Sequence, residues 1–232
     1  MKLDEVIPFG RSLDEYRHMF ALSDADLDKK IVGVADGPAS VNAELMAMGK
    51  HMLSVDPLYR FSAAEIKKQF DRVADGVFEQ VQASSDNWVW IYHKNLQSLK
   101  ENRLKVIRNF AADFEKGKQE KRYLVDELPR LNFKDDEFDL ALCSHFLFLY
   151  SDHFNYEFHL DSVLELLRIA REVRIFPLMT LEVKKSAFVE PLIKELEQKA
   201  FLVTIEKVDY EMQKGGNKML KIAKMNAAQE SN

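Results

Sequence analysis

The stretch "KIVGVADGPASVNAELMAMGKHMLSVDPLY", residues 30–59, decides the fold. Ile31, Val32 and Val34 form a β-branched run that suits a buried strand. Asp36-Gly37-Pro38 ends it, and a stretch rich in Ala, Met and Leu carries the chain as a helix to Gly49. Met52, Leu53 and Val55 make a second strand, closed by Asp56-Pro57. Strand, tight turn, helix and strand, with an acid where each strand ends, is half of a nucleotide-binding α/β fold, and the second acid is placed to bind sugar hydroxyls.

Upstream, residues 12–22 predict a helix with Ser12 as N-cap and Glu15 completing a capping box. Downstream, residues 60–118 break the rhythm. Ser62 caps a long helix whose Ile66, Phe70, Val73, Val77 and Val81 share one face, and the Ser-Ser-Asp-Asn run at 84–87 stops it. Trp88, Trp90 and Tyr92 alternate as on a strand or an extended lid, before a second helix bearing Leu96, Leu99, Ile107, Phe110 and Phe114. This is far more chain than a crossover between strands needs, so the segment reads as a helical insertion over one end of the sheet. The rhythm resumes with short strands at 122–125 and at 138–144, "FDLALCS". Ser162 and Glu165 suggest a capping box for the next helix. A fifth strand at 172–178 is stopped by Pro177, and Pro191 opens a further helix. Residues 200–225 are two strands turning at Gly215-Gly216-Asn217, an antiparallel hairpin. The expectation is a doubly wound, mostly parallel sheet with helices on both faces. It forms one domain over residues 1–225, with 60–118 as insertion or lid and 226–232 as a flexible tail.

With 232 residues, 47% of them apolar, the chain can build one sizeable core. A net charge of −5 argues against a nucleic-acid partner, which needs a basic footprint, and the basic run 116–122 reads as a solvated loop. The single cysteine, Cys143, lies in an apolar run and reads as a small buried residue; no multi-cysteine metal site is available. Intervals of eight and six between His145, His153 and His159 are not a usual ligand spacing, so no metal is assigned. Charged residues interrupt every apolar stretch and the N-terminus lacks a leader's apolar region, so a cytoplasmic protein without a membrane partner is expected. Nothing in the chain marks an oligomeric state.

Several segments resemble the class I S-adenosylmethionine-dependent methyltransferases. "VADGPAS" resembles that family's first motif and "SVDPLY" its second. "DELPRLNFKDDEFDLALCSHFLF" is similar to the segment leading into its fourth strand, and the terminal hairpin to its antiparallel seventh strand. The family usually has several glycines in the first turn, where this chain has Gly37 followed by Pro38. Such glycines admit a pyrophosphate, which S-adenosyl-L-methionine lacks, so the departure weighs more against a nicotinamide cofactor than against this one.

The resemblance implies a methyltransferase acting on a small-molecule acceptor, with S-adenosyl-L-methionine as cofactor. Asp36 would orient the methionine end of the cofactor, although an acid there also serves as an N-cap. Gly37 would let the backbone turn close to the ligand, with Pro38 and Ser40 lining it as neighbours. Asp56 would hold the ribose hydroxyls, flanked by Pro57 and Leu58. Glu127 and Leu128 fall where the family contacts adenine, with Asp126 as a rival by one position. Ser144 and His145 end the fourth strand at the transfer site. His145 would be a substrate contact or general base, or simply a hydrogen-bonded histidine among apolar neighbours. Tyr150, Asp152 and His153 lie where a substrate pocket would form, and Arg11 and Tyr16 where an N-terminal segment would fold back over the cofactor. Arg174, inside the fifth strand, needs partners, with Asp139 and Glu172 as candidates. The alternatives are a non-catalytic binder of the same cofactor and an NAD-dependent oxidoreductase. A nucleic-acid methyltransferase would carry Asn-Pro-Pro-aromatic after the fourth strand, which this chain lacks.

Overall fold

Alternation of apolar residues along each strand feeds two cores, one on each face of a seven-stranded sheet. The computed structural model describes residues 7–224. Five strands run parallel: β1 (Ile31–Val34), β2 (Met52–Val55), β3 (Tyr123–Leu124), β4 (Phe138–Ser144) and β5 (Ala170–Phe176). β6 (Phe201–Lys207) and β7 (Lys218–Lys224) follow, and β7 inserts antiparallel between β5 and β6. The order is β3-β2-β1-β4-β5-β7-β6. The mostly parallel sheet with an antiparallel C-terminal strand is the architecture that the family resemblance implies.

On one face Val32, Val34, Ala141, Cys143, Val173 and Ile175 meet α5 (Tyr156–Ile169) and α6 (Val189–Gln198). On the other, Ile31, Met52, Leu140 and Leu142 meet α1 (Leu13–Met19) and α2 (Val41–Ala47). Burial pushes the Cys143 thiol up to about 12, so it is an inert core residue. A third core lies between α3 (Ala63–Ala83) and α4 (Leu96–Gln119), where Ile66, Phe70, Val77 and Val81 face Leu99, Ile107, Phe110 and Phe114.

The capping box at Ser12 and the cap at Ser62 form as expected, and Glu65 completes a box at the second that was not anticipated. Four expectations change. The 60–118 segment is not wholly an added layer: α4 packs beside α2 and leads into β3, so it is the crossover helix, and α3 is the addition. Most of the 116–122 run is the last turn of α4, and Arg122 is buried on Asp113 through two bonds of 2.7 Å. α5 begins at Asn155, whose side chain accepts from the Phe158 amide. That puts Ser162 in mid-helix, while Glu165 accepts from the Leu131 amide and pairs with Arg168. The hairpin joins β6 to β7 through the long segment 208–217, not a tight turn. Arg174 does pair with Glu172 at 2.6 Å, but its other carboxylate is Asp26 at 3.2 Å; Asp139 instead accepts from the Lys30 amide. The expected tail at 226–232 lies outside the described residues.

Candidate functional site

β1 pairs with β2 on one side and with β4 on the other, so the chain reverses its direction of growth there. Ligands of open α/β sheets bind beyond the carboxyl ends of the strands at such a point. A cavity of about 390 Å³ lies at this place, walled by the residues that follow β1, β2, β3 and β4. Asp36, Gly37, Asp56, Pro57, Leu58, Glu127, Leu128, Ser144 and His145 all line it, as do Asp126 and Arg11. Pro38 and Ser40 do not. Pro38 is buried with its carbonyl against Gly10, and the buried Ser40 hydroxyl is turned to Glu44 at the head of α2.

The turn after β1 is tied to the turn after β2. The Gly37 amide donates to Asp56 Oδ2 at 2.8 Å, the Leu58 amide to Asp56 Oδ1 at 2.8 Å, and the Tyr59 hydroxyl to the Gly37 carbonyl at 2.8 Å. Gly37 has φ 54°, a left-handed conformation natural to glycine, and a Cβ there would meet no other protein atom. Asp56 thus caps the short turn at Pro57–Arg60 and borders the cavity together. A carboxylate has about four acceptor positions, so two backbone donors leave room for two more.

Asp36 is buried beneath the turn. Its Oδ1 accepts from the Tyr16 hydroxyl at 2.6 Å, while its Oδ2 has no partner. The carboxylate folds back over Gly33, where an added Cβ would overlap both its oxygens and the Met52 methyl. Burial, with a smaller push from Asp56, raises Asp36 to about 7. Burial also raises Asp56, to about 6, against the two backbone amides that lower it. The pair can therefore hold or release protons near neutrality.

Ser144 Oγ lies 2.9 Å from His145 Nδ1, and the His145 amide donates to the Phe176 carbonyl at 2.6 Å. Burial, then the charges of Arg11 and Arg103, hold His145 well below the usual histidine range. Its imidazole is neutral and weakly basic, which suits a contact better than a base. Glu127 is exposed on the cavity rim, whereas Asp126 is engaged by the Glu127 and Asn132 amides. Phe61 and Gln69 bring the start of α3 to the cavity mouth. Trp88 and Tyr92 belong elsewhere: the 88–92 segment packs along 210–213, where the Val89 amide donates to the Met212 carbonyl. Asp152 and His153 do not line the cavity.

Two residues that shape the site went unread in the sequence. Gly33 interrupts a β-branched strand, a recognised sign of close backbone or side-chain approach. Gly10 sits where a Cβ would overlap the Pro38 carbonyl, so it lets the N-terminal segment cross the first turn and deliver Arg11. Among the described residues no group of three or more His, Cys, Asp and Glu is arranged to hold a metal ion, and no helix is long and apolar enough to cross a membrane.

Comparison with curated proteins finds the uncharacterized protein MJ0045 of Methanocaldococcus jannaschii, 36% identical over 221 residues, covering 95% of this chain and 97% of the relative. The chain belongs to that protein's family. No family profile matches it. Among solved structures, similar chains include magnesium protoporphyrin IX methyltransferase of Synechocystis PCC 6803 with bound S-adenosylmethionine, at 13% identity and a TM-score of 0.46, covering 92% of this chain and 78% of that one. Another is the methyltransferase domain of a bacterial Hen1, at 12% identity and 0.47, covering 92% and 100%. A third is an S-adenosylmethionine-dependent methyltransferase of Aquifex aeolicus, at 14% identity and 0.40, covering 90% and 87%.

Proposed function

We propose that this family member binds S-adenosyl-L-methionine in the cavity at the ends of β1 and β2 and transfers its methyl group to a small-molecule acceptor. The observation that carries the reading is the convergence of Asp36 and Asp56, from adjacent strand ends, on one cavity. The sheet order argues in the same direction. A dinucleotide fold runs its six strands parallel in the order 3-2-1-4-5-6, whereas here an antiparallel β7 separates β5 from β6.

The residues present suit the cofactor. Asp56 keeps acceptor positions for vicinal ribose hydroxyls, and as a carboxylate it disfavours a phosphate there. The Asp36 carboxylate borders the cavity with one oxygen held by Tyr16, and its charge complements a cationic ligand. Leu58, Phe61, Leu128 and Phe158 supply apolar wall for a purine. When bound there, the cofactor would supply a methyl group on a cationic sulfur, open to displacement by an acceptor's lone pair with the sulfur–carbon electron pair returning to sulfur. The chain's own work is alignment and exclusion of water, and Ser144 and the neutral His145 orient what meets them at the end of β4.

Calorimetry tests the binding half. We expect saturable binding of S-adenosylmethionine, none of NAD, and a loss of about tenfold or more in Asp56→Ala, the worth of charge-assisted hydrogen bonds. An unchanged affinity in that variant, with its circular dichroism intact, sinks the site assignment. Release of S-adenosylhomocysteine in the presence of a metabolite pool tests catalysis.

A further inference from the structure

A second cavity, of about 120 Å³, lies on the other side of His145. The two cavities share Ile7, Phe9, Arg11 and His145. The rest of its lining is chiefly apolar, drawn from α3, from the ends of β4 and β5 and from the 208–217 segment. A space of this size and lining is filled by about one aromatic ring.

Among the described residues its charge is not balanced. Arg103 and Arg11 both border it. Arg103 is committed to the buried Glu15, with Nη1 to Oε2 at 2.8 Å and Nη2 to Oε1 at 2.7 Å. Glu15 also accepts from the Tyr210 hydroxyl at 2.9 Å and from the Ser12 amide at 3.0 Å. Arg11 comes only within 3.9 Å of Glu15. Its Nη1 donates to the carbonyls of Phe9 at 2.6 Å and Gly10 at 3.2 Å, and its buried Nε has no partner. His93 and His145, the neighbouring histidines, are both held below the usual range, first by burial, so neither adds nor removes charge near neutrality. Among the described residues one carboxylate thus faces two guanidiniums in a site largely shielded from water, and a buried charge without a full counter-charge is costly unless a ligand supplies one. The charge of Arg11 acts on His145, which borders both cavities, and on Tyr150, which lines the second.

We propose that the second cavity seats the methyl acceptor, and that this acceptor is a small apolar molecule of aromatic-ring size carrying one anionic group, a carboxylate or similar oxyanion, held by Arg11. The inference rests on the methyltransferase reading, since the shared wall at His145 is what brings acceptor and donor together.

Fluorine NMR titration of the protein saturated with S-adenosylhomocysteine tests it, with 4-fluorobenzoate and 4-fluorobenzamide as probes of equal shape and different charge. The benzoate is expected to bind saturably and the amide about tenfold or more weakly, the worth of a charge-assisted bond. Arg11→Gln should erase that difference. Leu181→Trp, which fills the second cavity alone, should abolish binding of both probes while calorimetry finds S-adenosylhomocysteine affinity kept. Equal binding of the two probes, or no saturable benzoate binding, overturns the proposal without requiring any variant to fold. So does an Arg11→Gln protein that loses S-adenosylhomocysteine and keeps the benzoate, because the cation then serves the donor. If wild-type protein fails to bind S-adenosylhomocysteine, the methyltransferase reading falls, and the same probe comparison on the protein alone still judges the cavity.

Discussion

The Asp36 carboxyl holds one oxygen on the Tyr16 hydroxyl and the other, unpartnered, over Gly33. Raised to about 7, it is partly protonated at neutral pH. A cationic ligand favours its ionised form, so binding below that point expels a proton. Affinity for S-adenosylmethionine should therefore climb between about pH 5.5 and 7.5 in the wild type, and Asp36→Asn should leave only the lower part of the climb, which belongs to Asp56, as calorimetry in buffers of different ionisation heat would register. Gly33→Ala should cost about 1–3 kcal/mol of stability, because the new methyl overlaps Asp36 and Met52, and chemical denaturation would measure it. Both acids were legible in the sequence because a strand-ending acid before a turn is a local pattern. What each touches was not: Asp56 spends two acceptor positions on backbone amides, a fact of how two turns meet. Ser40 was misplaced for the same reason, since the residue before a helix can turn its side chain to the helix, as here to Glu44, or outward.

Elements were most legible where a helix announces its own start. The box at Ser12 needs only residues three apart and the cap at Ser62 a single residue, and both form. The same pattern at Ser162 and Glu165 misleads, because Asn155 had already begun α5 and Glu165 is drawn to Arg168 and to the Leu131 amide. Nor does local pattern say that α4 rather than α3 completes the crossover to β3; that follows from packing against α2. The tie between α1 and α4 is equally nonlocal: Glu15 on α1 takes Arg103 on α4 and Tyr210 in the 208–217 segment. Arg103→Met should cost about 3–5 kcal/mol by removing the two charged hydrogen bonds of the buried Glu15 and leaving the Arg11 guanidinium, at 3.9 Å, as its counter-charge, and Glu15→Gln added to it should recover part of the loss. A double-mutant cycle on urea midpoints would read this out. If Arg103→Met alone is neutral, the pair does not hold the two helices together.

Across the molecule, buried titrating groups pull stability in opposite directions with pH. Asp36 and Asp56 are raised, so their contribution is whole below about pH 4 and fades as pH climbs through 6 and 7. His93, His145 and His159 are lowered by burial, so theirs grows as pH rises toward 6.5, where unfolded histidine gives up its proton. Glu15, held well below the usual range chiefly by Arg103 against its burial, weakens the fold only in stronger acid. A single wild-type curve mixes these terms. The gap between wild type and Asp36→Asn isolates one of them: it should shift against the wild type by up to about 4 kcal/mol from pH 4 to 8. A gap that stays constant would mean that Asp36 titrates normally.

One strip of chain, Ile7 to Arg11, forms part of the boundary of both cavities, with the Phe9 ring tilted against that of Phe70 of α3 at 5.0 Å. A substitution that loosens this contact therefore reaches both chambers at once: in Phe9→Ala, S-adenosylhomocysteine binding by calorimetry and 4-fluorobenzoate binding by fluorine NMR should weaken together.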